Sequence, residues 1–232
     1  MTSQLNPAWQ RKTVSSDHLA KISDRFLSDG PRSEQTSDGC QVIPFLLDNA
    51  DQGWIPEQLG EVLSERGRHS IVYNPEDHTA DSNAPFEAVL MQKAVDREFC
   101  LLPTCSVGTI QSRRFDHVVL TVPASLEGIL TAYRRIKLLS SGDCPEIGII
   151  VVGPRDQHAA WRYFRKLAVG TLRYLDVALL NLGFLPHQVT PDNGPADHHR
   201  RNYLTRISER LLRSEFYSRH PAGPAEEQGQ AR

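Results

Sequence analysis

The chain has no apolar run that approaches the roughly 20 residues of a membrane-spanning helix. Its first residues also lack the charged-then-apolar order of a secretory signal peptide. Lys and Arg number 26 against 28 Asp and Glu, so no overall basic excess points to nucleic acid. We therefore expect a cytoplasmic protein without a nucleic-acid partner. Any association with the inner face of the membrane would be indirect or weak.

Cysteine is scarce, and no CxxC pair occurs among the four cysteines of the chain. Cys100 and Cys105 lie close in sequence, but no second pair of cysteines or histidines accompanies them at the spacing of zinc ligands. The sequence thus favours reduced, mostly buried thiols, and we expect no structural metal.

Apolar strand-like runs alternate with amphipathic helical patterns along most of the chain. This alternation is typical of βαβ units, and it predicts an α/β fold with a mostly parallel, doubly wound sheet flanked by helices. The predicted strands lie at 40–47, 69–75, 98–105, 116–123, 146–153 and 177–186. The predicted helices lie at 55–67, 86–96, 125–141, 156–175 and 201–219.

Composition divides the chain into three parts. Residues 1–39 are polar and form a flexible extension that contains one helical pattern, either a docking peptide or a helix lying on the domain. Residues 40–219 form the α/β domain. Residues 220–232 are rich in Pro, Gly, Glu and Gln, which predicts a disordered tail.

Two helices have patterns that bear on function. In 125–141, apolar residues recur at helical spacing, which predicts a shared buried face made of Leu126, Ile129, Leu130, Tyr133, Ile136 and Leu139 or Leu138. The closing helix carries an apolar stripe between arginines. Such a stripe fits a helix packed on the sheet, and it also fits an amphipathic helix that binds membranes.

The second half of the chain has a more specific pattern. Pro123 ends a strand, and the following helix carries the run TAYRRIK at 131–137. These stretches resemble the second half of MinD/ParA-type P-loop ATPases. They are most similar to the MinD-like branch that includes the flagellar-number regulator. A later run agrees with the same branch at Phe164, Leu167, Leu175, Val177, Leu179, Leu182, Gly183 and Pro186.

That family binds phosphates with a deviant Walker A loop, KGGxGKT, between the first strand and the first helix. Glycines there expose backbone N–H groups, lysines neutralise the phosphates, and a threonine holds Mg²⁺. The corresponding segment here is DNADQGWIP. The resemblance therefore implies a vestigial phosphate loop, whose residues are Asp48, Asn49, Asp51, Gly53 and Trp54.

Two further family motifs are replaced in this chain. Pro103 and Thr104 stand where the family has the acid of its switch motif, and Gly153 stands where an asparagine reads the base. Together with the missing phosphate loop, these replacements imply a pseudo-ATPase that has no catalytic residues and needs no cofactor.

The resemblance implies a protein-interaction or regulatory subunit of a bacterial envelope-associated machine, such as exopolysaccharide secretion, the flagellum or a pilus. Its partner would be an active MinD/ParA-like paralogue, a membrane-machine subunit or a second copy in a homodimer. Basic helix faces supply candidate partner surfaces at Arg134, Arg135, Lys137, Arg162 and Arg165.

Three alternatives remain open from the sequence. An active nucleotide-binding ATPase with a rebuilt loop needs compensating cations, for which Arg113 and Arg114 are candidates in the loop before the fourth strand. A sensor of another anionic ligand would use the same arginines. Asp48 and Asp51 are turn and capping residues by type, or they join Asp77 and His78 in a carboxylate metal site.

Overall fold

The computed structural model describes residues 40–74, 96–113, 115–142, 144–186 and 196–213. Six strands in these ranges form one sheet, in which every pairing is parallel. This confirms the predicted α/β class. The strands are β1 Gln41–Leu46, β2 Ser70–Val72, β3 Phe99–Thr104, β4 His117–Pro123, β5 Glu146–Val152 and β6 Leu179–Leu185.

Five α-helices lie in the same ranges, and a short 3₁₀ helix at Ala50–Gly53 precedes the first of them. None of these helices is long and apolar enough to cross a membrane. The helices are α1 Trp54–Glu65, α2 Val107–Arg113, α3 Leu126–Leu139, α4 Gln157–Leu175 and α5 Ala196–Arg213. Of the predicted helix 86–96, only Asp96 is described, and it lies in a turn with a positive φ of 62°. The extension 1–39 and the tail 220–232 fall outside the described residues.

The strand order is β2-β3-β1-β4-β5-β6. Buried side chains of α1 and α5 pack in one apolar cluster on one face, and those of α2, α3 and α4 pack in a second cluster on the other. Helix α1, which follows β1, therefore covers the face opposite to that of the helices following β3 and β4. In such sheets this change of face opens a crevice at the carboxyl ends of the strands, where ligands bind.

Local residues explain where the helices start and stop. The Ser125 hydroxyl accepts a hydrogen bond from Gly128 N, and the Asp156 carboxylate accepts one from Ala159 N. These are N-caps of α3 and α4. The bond from Ala159 is the main reason that the pKa of Asp156 lies below its ordinary value. Gly67, predicted to close α1, has a positive φ of 74° two residues past the helix.

The predicted buried face of α3 is wrong in part. Ile129 is buried, but Leu126 is 69% exposed and Leu130 is 50% exposed. Ile136 and Leu139 are buried as predicted, and Ala132 joins them on the inner face. Leucines occur on both the buried and the exposed side of this helix, so a prediction from helical spacing alone included exposed leucines in the buried face.

The closing helix α5 packs against the sheet, as the core interpretation predicts. Leu204, Ile207 and Leu211 are each at most 2% exposed. Gly183 of β6 allows this close approach, since a Cβ atom added there would lie 2.9 Å from Ile207 Cγ1. Its φ of +145° also favours glycine. Helix α5 consequently lies directly beside the last strand of the sheet.

Candidate functional site

The loop after β1 lies at the crevice between the two helix layers. Strand β1 pairs with β3 on one side and with β4 on the other, and its last residue is Leu46. The chain then passes through Asp48 and the 3₁₀ helix into α1. This is the position at which the resemblance placed a phosphate loop, so its hydrogen bonds decide what it can bind.

The side chain of Gln52 folds back into this loop. Gln52 is only 8% exposed. Its amide oxygen accepts a hydrogen bond from Asp48 N at 3.1 Å and a short one from the Thr121 hydroxyl. A backbone N–H that would be available to a phosphate oxygen in an open loop is thus engaged by the chain itself.

Thr121 holds the loop from the neighbouring strand β4. Its hydroxyl oxygen is 3.0 Å from Asp48 N, which donates to it, and 3.4 Å from the carbonyl oxygen of Leu46. The side chain is 2% exposed. Because a buried hydroxyl is costly without hydrogen bonds, Thr121 and Gln52 satisfy each other as one polar cluster.

Arg135 of α3 reaches the same loop from the opposite side. One guanidinium nitrogen donates to the Leu47 carbonyl at 2.9 Å, and the other donates to the Asp48 carbonyl at 3.3 Å. The Asp48 carboxylate lies 3.8 Å from this group. Arg135, predicted as a partner-surface residue, is therefore half-buried and bound to the loop.

The other loop residues point elsewhere. Asn49 and Asp51 are exposed. Trp54 packs partly buried against the cluster of α1 and α5, and the Arg200 guanidinium lies 5.1 Å from the centre of its ring. Gly53 has the helical φ of -54°, which other residues adopt equally well. Its glycine character is accordingly not used to turn N–H groups toward a ligand.

The two other replaced motifs lie at the ends of strands. Leu47 N donates to the Thr104 carbonyl at 2.8 Å, and Ser106 N donates to the Thr104 hydroxyl at 3.1 Å. Pro103 pairs in register with Phe45. Gly153 has a φ of 87°, and its N–H donates to the Leu185 carbonyl at 2.8 Å. These residues therefore pair within the sheet or form the hydrogen bonds of the turns at the strand ends.

The arginines proposed for an anionic ligand are only partly described. Arg113 is the last residue of helix α2, whereas the sequence placed it in a loop. That helix escaped prediction because it is short and has one buried residue, Ile110. Arg114, Asp77 and His78 lie outside the described residues. Within the ranges that the structure covers, no three His, Cys, Asp or Glu residues come together as metal ligands.

None of the cysteines in the chain is in a disulfide. Burial raises the pKa of the Cys100 thiol to about 12 and that of the Cys40 thiol to about 11. Thiols with such pKa values stay protonated at neutral pH and are poor nucleophiles. Cys100 lies in a buried apolar cluster, against which Cys40 packs partly buried. Cys105 is exposed and Cys144 is partly buried, so the expectation of mostly buried thiols is wrong.

Four of the predicted partner-surface residues are exposed. Helix α3 carries three Lys or Arg, and helix α4 carries four, against a single acid, Glu127. Exposed apolar side chains lie among them, including Leu130 and Trp161. The four exposed partner-surface candidates are Arg134, Lys137, Arg162 and Arg165.

Solved structures define the class of fold. A MinD cell division protein from Aquifex aeolicus is 14% identical, with a TM-score of 0.50, over 75% of this chain and 98% of that chain. A MinC:MinD cell division protein complex from Aquifex aeolicus matches at 15% identity and a TM-score of 0.52, over 75% and 96%. The chain therefore has a MinD/ParA-like α/β fold.

Sequence comparison adds nothing to this assignment, since no family model and no curated protein matches the chain. The likeness in structure shows the fold alone. Loss of the phosphate loop and kinship with the flagellar-number branch stay predictions.

Proposed function

We propose that this chain is a MinD/ParA-like protein that does not hydrolyse ATP and acts through contacts with other proteins. One observation carries the proposal: the Gln52 amide oxygen accepts the hydrogen bond of Asp48 N inside the loop. Phosphate loops work because their backbone N–H groups and a lysine are free to surround the phosphate. Here the neutral side chain of Gln52 accepts a hydrogen bond that a phosphate oxygen would accept in such a loop.

Charge in the loop supports the same proposal. Asp48 and Asp51 would repel phosphates, and Pro56 in the first turn of α1 has no N–H to donate. The cation beside the loop, Arg135, already donates to two backbone carbonyls. Binding a nucleotide would require these groups to separate, at a cost of several hydrogen bonds.

An interaction role is supported by the surface of α3 and α4. These neighbouring helices concentrate positive charge in a chain whose net charge is -2, and they expose apolar side chains such as Leu126 and Trp161. Interfaces are enriched in aromatic and Arg side chains, of which Trp161 and the arginines of α3 and α4 are examples. In Aquifex aeolicus, MinD occurs in a complex with MinC. The partner of this chain, and an envelope-associated machine as its setting, stay predictions.

The test combines an assay of phosphate release from Mg-ATP, which reports hydrolysis, with calorimetric titration and thermal denaturation of the full chain with ATP, ADP and their Mg²⁺ complexes, which report binding. We expect no shift in Tm up to millimolar nucleotide. A ligand at 100 times its Kd would stabilise the fold by about 2.7 kcal/mol, so a binder would be seen. An active P-loop ATPase in the same assay serves as the positive control.

A second candidate function, a nucleotide-binding protein with a rebuilt loop, is favoured by the position of Arg135. Its guanidinium group lies beside the loop, where a phosphate would need a cation. A rise in Tm with Mg-ATP that disappears in Arg135→Met would establish this alternative. The same rise in Gln52→Ala alone would identify the Gln52 side chain as the group that blocks the loop.

A further inference from the structure

Strand β6 forms one edge of the sheet. It pairs with β5, and no strand pairs with its other side within the described ranges. The Leu185 carbonyl accepts from Gly153 N, next to the end of β5. Successive residues of a strand direct their polar groups to opposite sides, so the N–H and carbonyl of Phe184 point toward the open edge.

A groove of about 230 Å³ follows this edge between α4 and α5. Its floor includes Asn181 and Phe184 of β6, one wall includes Trp161 of α4, and the other wall carries Arg206 and Arg210 of α5. No Asp or Glu occurs among the described residues that line it. The groove thus combines an unpaired strand edge with a positive wall and an aromatic wall.

Apolar side chains extend this surface beyond the groove. Trp161 is 51% exposed, and Leu172 lies eleven residues further along α4, three helical turns away on the same side, and is 57% exposed. Leu180 of β6 is 38% exposed. A segment lying along β6 could therefore bury alternate apolar side chains while its backbone pairs with the strand.

We infer that this groove binds an extended acidic segment of a partner protein, which adds to β6 as a further strand. Strand addition uses the open backbone groups of an edge for affinity and side-chain pockets for specificity. The basic wall selects carboxylates, because arginine pairs with them in a fixed geometry. This inference rests on the proposed interaction function and gives it a site and a class of partner.

The charges argue against a second copy of this chain as the occupant. A twofold pairing of two β6 edges would bring the same surface of each subunit together. Arg206 and Arg210 of both copies would then share one interface, where like charges repel. A partner segment that carries Asp or Glu avoids this repulsion.

Arg210 protects the edge while the groove is empty. Its guanidinium group donates to the Asn181 carbonyl at 3.3 Å, and its side chain is exposed. Charged side chains of this kind keep sheet edges from pairing with the wrong strands. An acidic segment would draw the guanidinium to its carboxylate and leave the carbonyl for a backbone N–H.

The test is selection of random peptides displayed on phage against the full chain, without nucleotide. We expect enriched peptides to be acidic, with alternate apolar residues. Fluorescence anisotropy of a synthesised peptide should show binding at least about tenfold weaker to Arg206→Glu/Arg210→Glu. Hydrogen exchange of the amides at 179–185 should slow when the peptide binds, which strand addition requires.

The matched control is Arg97→Glu/Arg155→Glu, which makes the same change of charge at two exposed positions outside the groove and outside α3 and α4. It should leave peptide affinity unchanged, and both double variants should keep the Tm of the parent. Equal weakening in the two double variants would overturn the inference, because binding would then follow overall charge. Failure to enrich acidic peptides, or absence of protection at 179–185, would overturn it as well.

Two other occupants are tested by the same variants. A dimer in analytical ultracentrifugation that Arg206→Glu/Arg210→Glu dissociates would assign the groove to a second copy and overturn the acidic-segment inference. Binding of a single-stranded oligonucleotide with equal dependence on both arginines would overturn it too. The nucleotide titration stands apart: a Mg-ATP response overturns the pseudo-ATPase proposal, whereas loss of peptide binding alone overturns only the groove.

Discussion

The loop after β1 and the groove beside β6 both offer backbone polar groups, which the protein binds to different extents. In the loop, Gln52, Thr121 and Arg135 bind those groups from three elements of the fold. In the groove, exposed Arg210 donates to the Asn181 carbonyl, and the edge of β6 also faces Trp161 and Arg206. Under the proposed function, the ligand position of the fold and the interaction site lie in different places.

This contrast has a physical meaning for stability. Residues that satisfy buried polar groups are costly to remove, because a group left without its partner keeps its full desolvation penalty. Exposed residues that await a partner can be removed with little effect on folding. Closed and open sites are thus distinguished by unfolding experiments without any ligand.

Among the loop residues and the groove arginines, the largest loss of stability is expected for Arg135→Met. The variant loses two charged hydrogen bonds to the carbonyls of Leu47 and Asp48, so we expect the free energy of unfolding to fall by about 2–3 kcal/mol. For a chain of this size that lowers Tm by about 5–10 °C. Thermal and urea denaturation measure it.

The control for this prediction is Arg134→Met, at the neighbouring and exposed position. Its free energy of unfolding should change by less than about 0.5 kcal/mol. Equal losses in the two variants would mean that Arg135 does not fasten the loop, and the contrast between loop and groove would fail.

This pair of arginines also shows how far the sequence predicts the site. Arg134 and Arg135 are adjacent and chemically identical, and only the packing of α3 against β4 turns one toward the loop. Thr121 is 73 residues from Asp48, and its hydroxyl lies in an apolar run where it looks like an ordinary strand residue. A polar residue inside a buried strand was the one available clue.

The fold itself was far more predictable than the site. Continuous apolar runs identified the central strands, because a parallel sheet buries both faces of such strands. Helix α2 was missed, since one buried residue, Ile110, leaves no periodic pattern. The exposed Leu126 and Leu130 misled the assignment of the inner face of α3. Local sequence patterns predict the helices and strands, whereas the candidate site is formed by contacts between residues that are far apart in the sequence.

A smaller effect is expected in the polar cluster. Thr121→Val and Gln52→Ala should each lower the free energy of unfolding by about 1–2 kcal/mol, because each removes a hydrogen-bond partner from Asp48 N. Since the two side chains also bond to each other, the double variant should lose less than the sum of both, with a coupling of about 1 kcal/mol.

A matched cycle with Thr171→Val tests whether this coupling is specific. Thr171 is a fully buried threonine on α4, and its hydroxyl donates to the Ala168 carbonyl within the same helix. Its effect should add to that of Gln52→Ala without coupling. The measurement is urea denaturation of the parent, the three single variants and the two double variants. Additivity in both cycles would mean that Thr121 and Gln52 stabilise the loop independently.

The smallest effect is expected at the groove. Arg206→Ala removes an exposed guanidinium from the wall, so the free energy of unfolding should change by less than about 0.5 kcal/mol in urea denaturation. Ile207→Ala, one position further along α5, should cost about 2–5 kcal/mol, because Ile207 is 1% exposed and packs over Gly183. A loss above 1 kcal/mol for Arg206→Ala would make this arginine part of the folded core. The groove would then be closed by the protein in the same way as the loop.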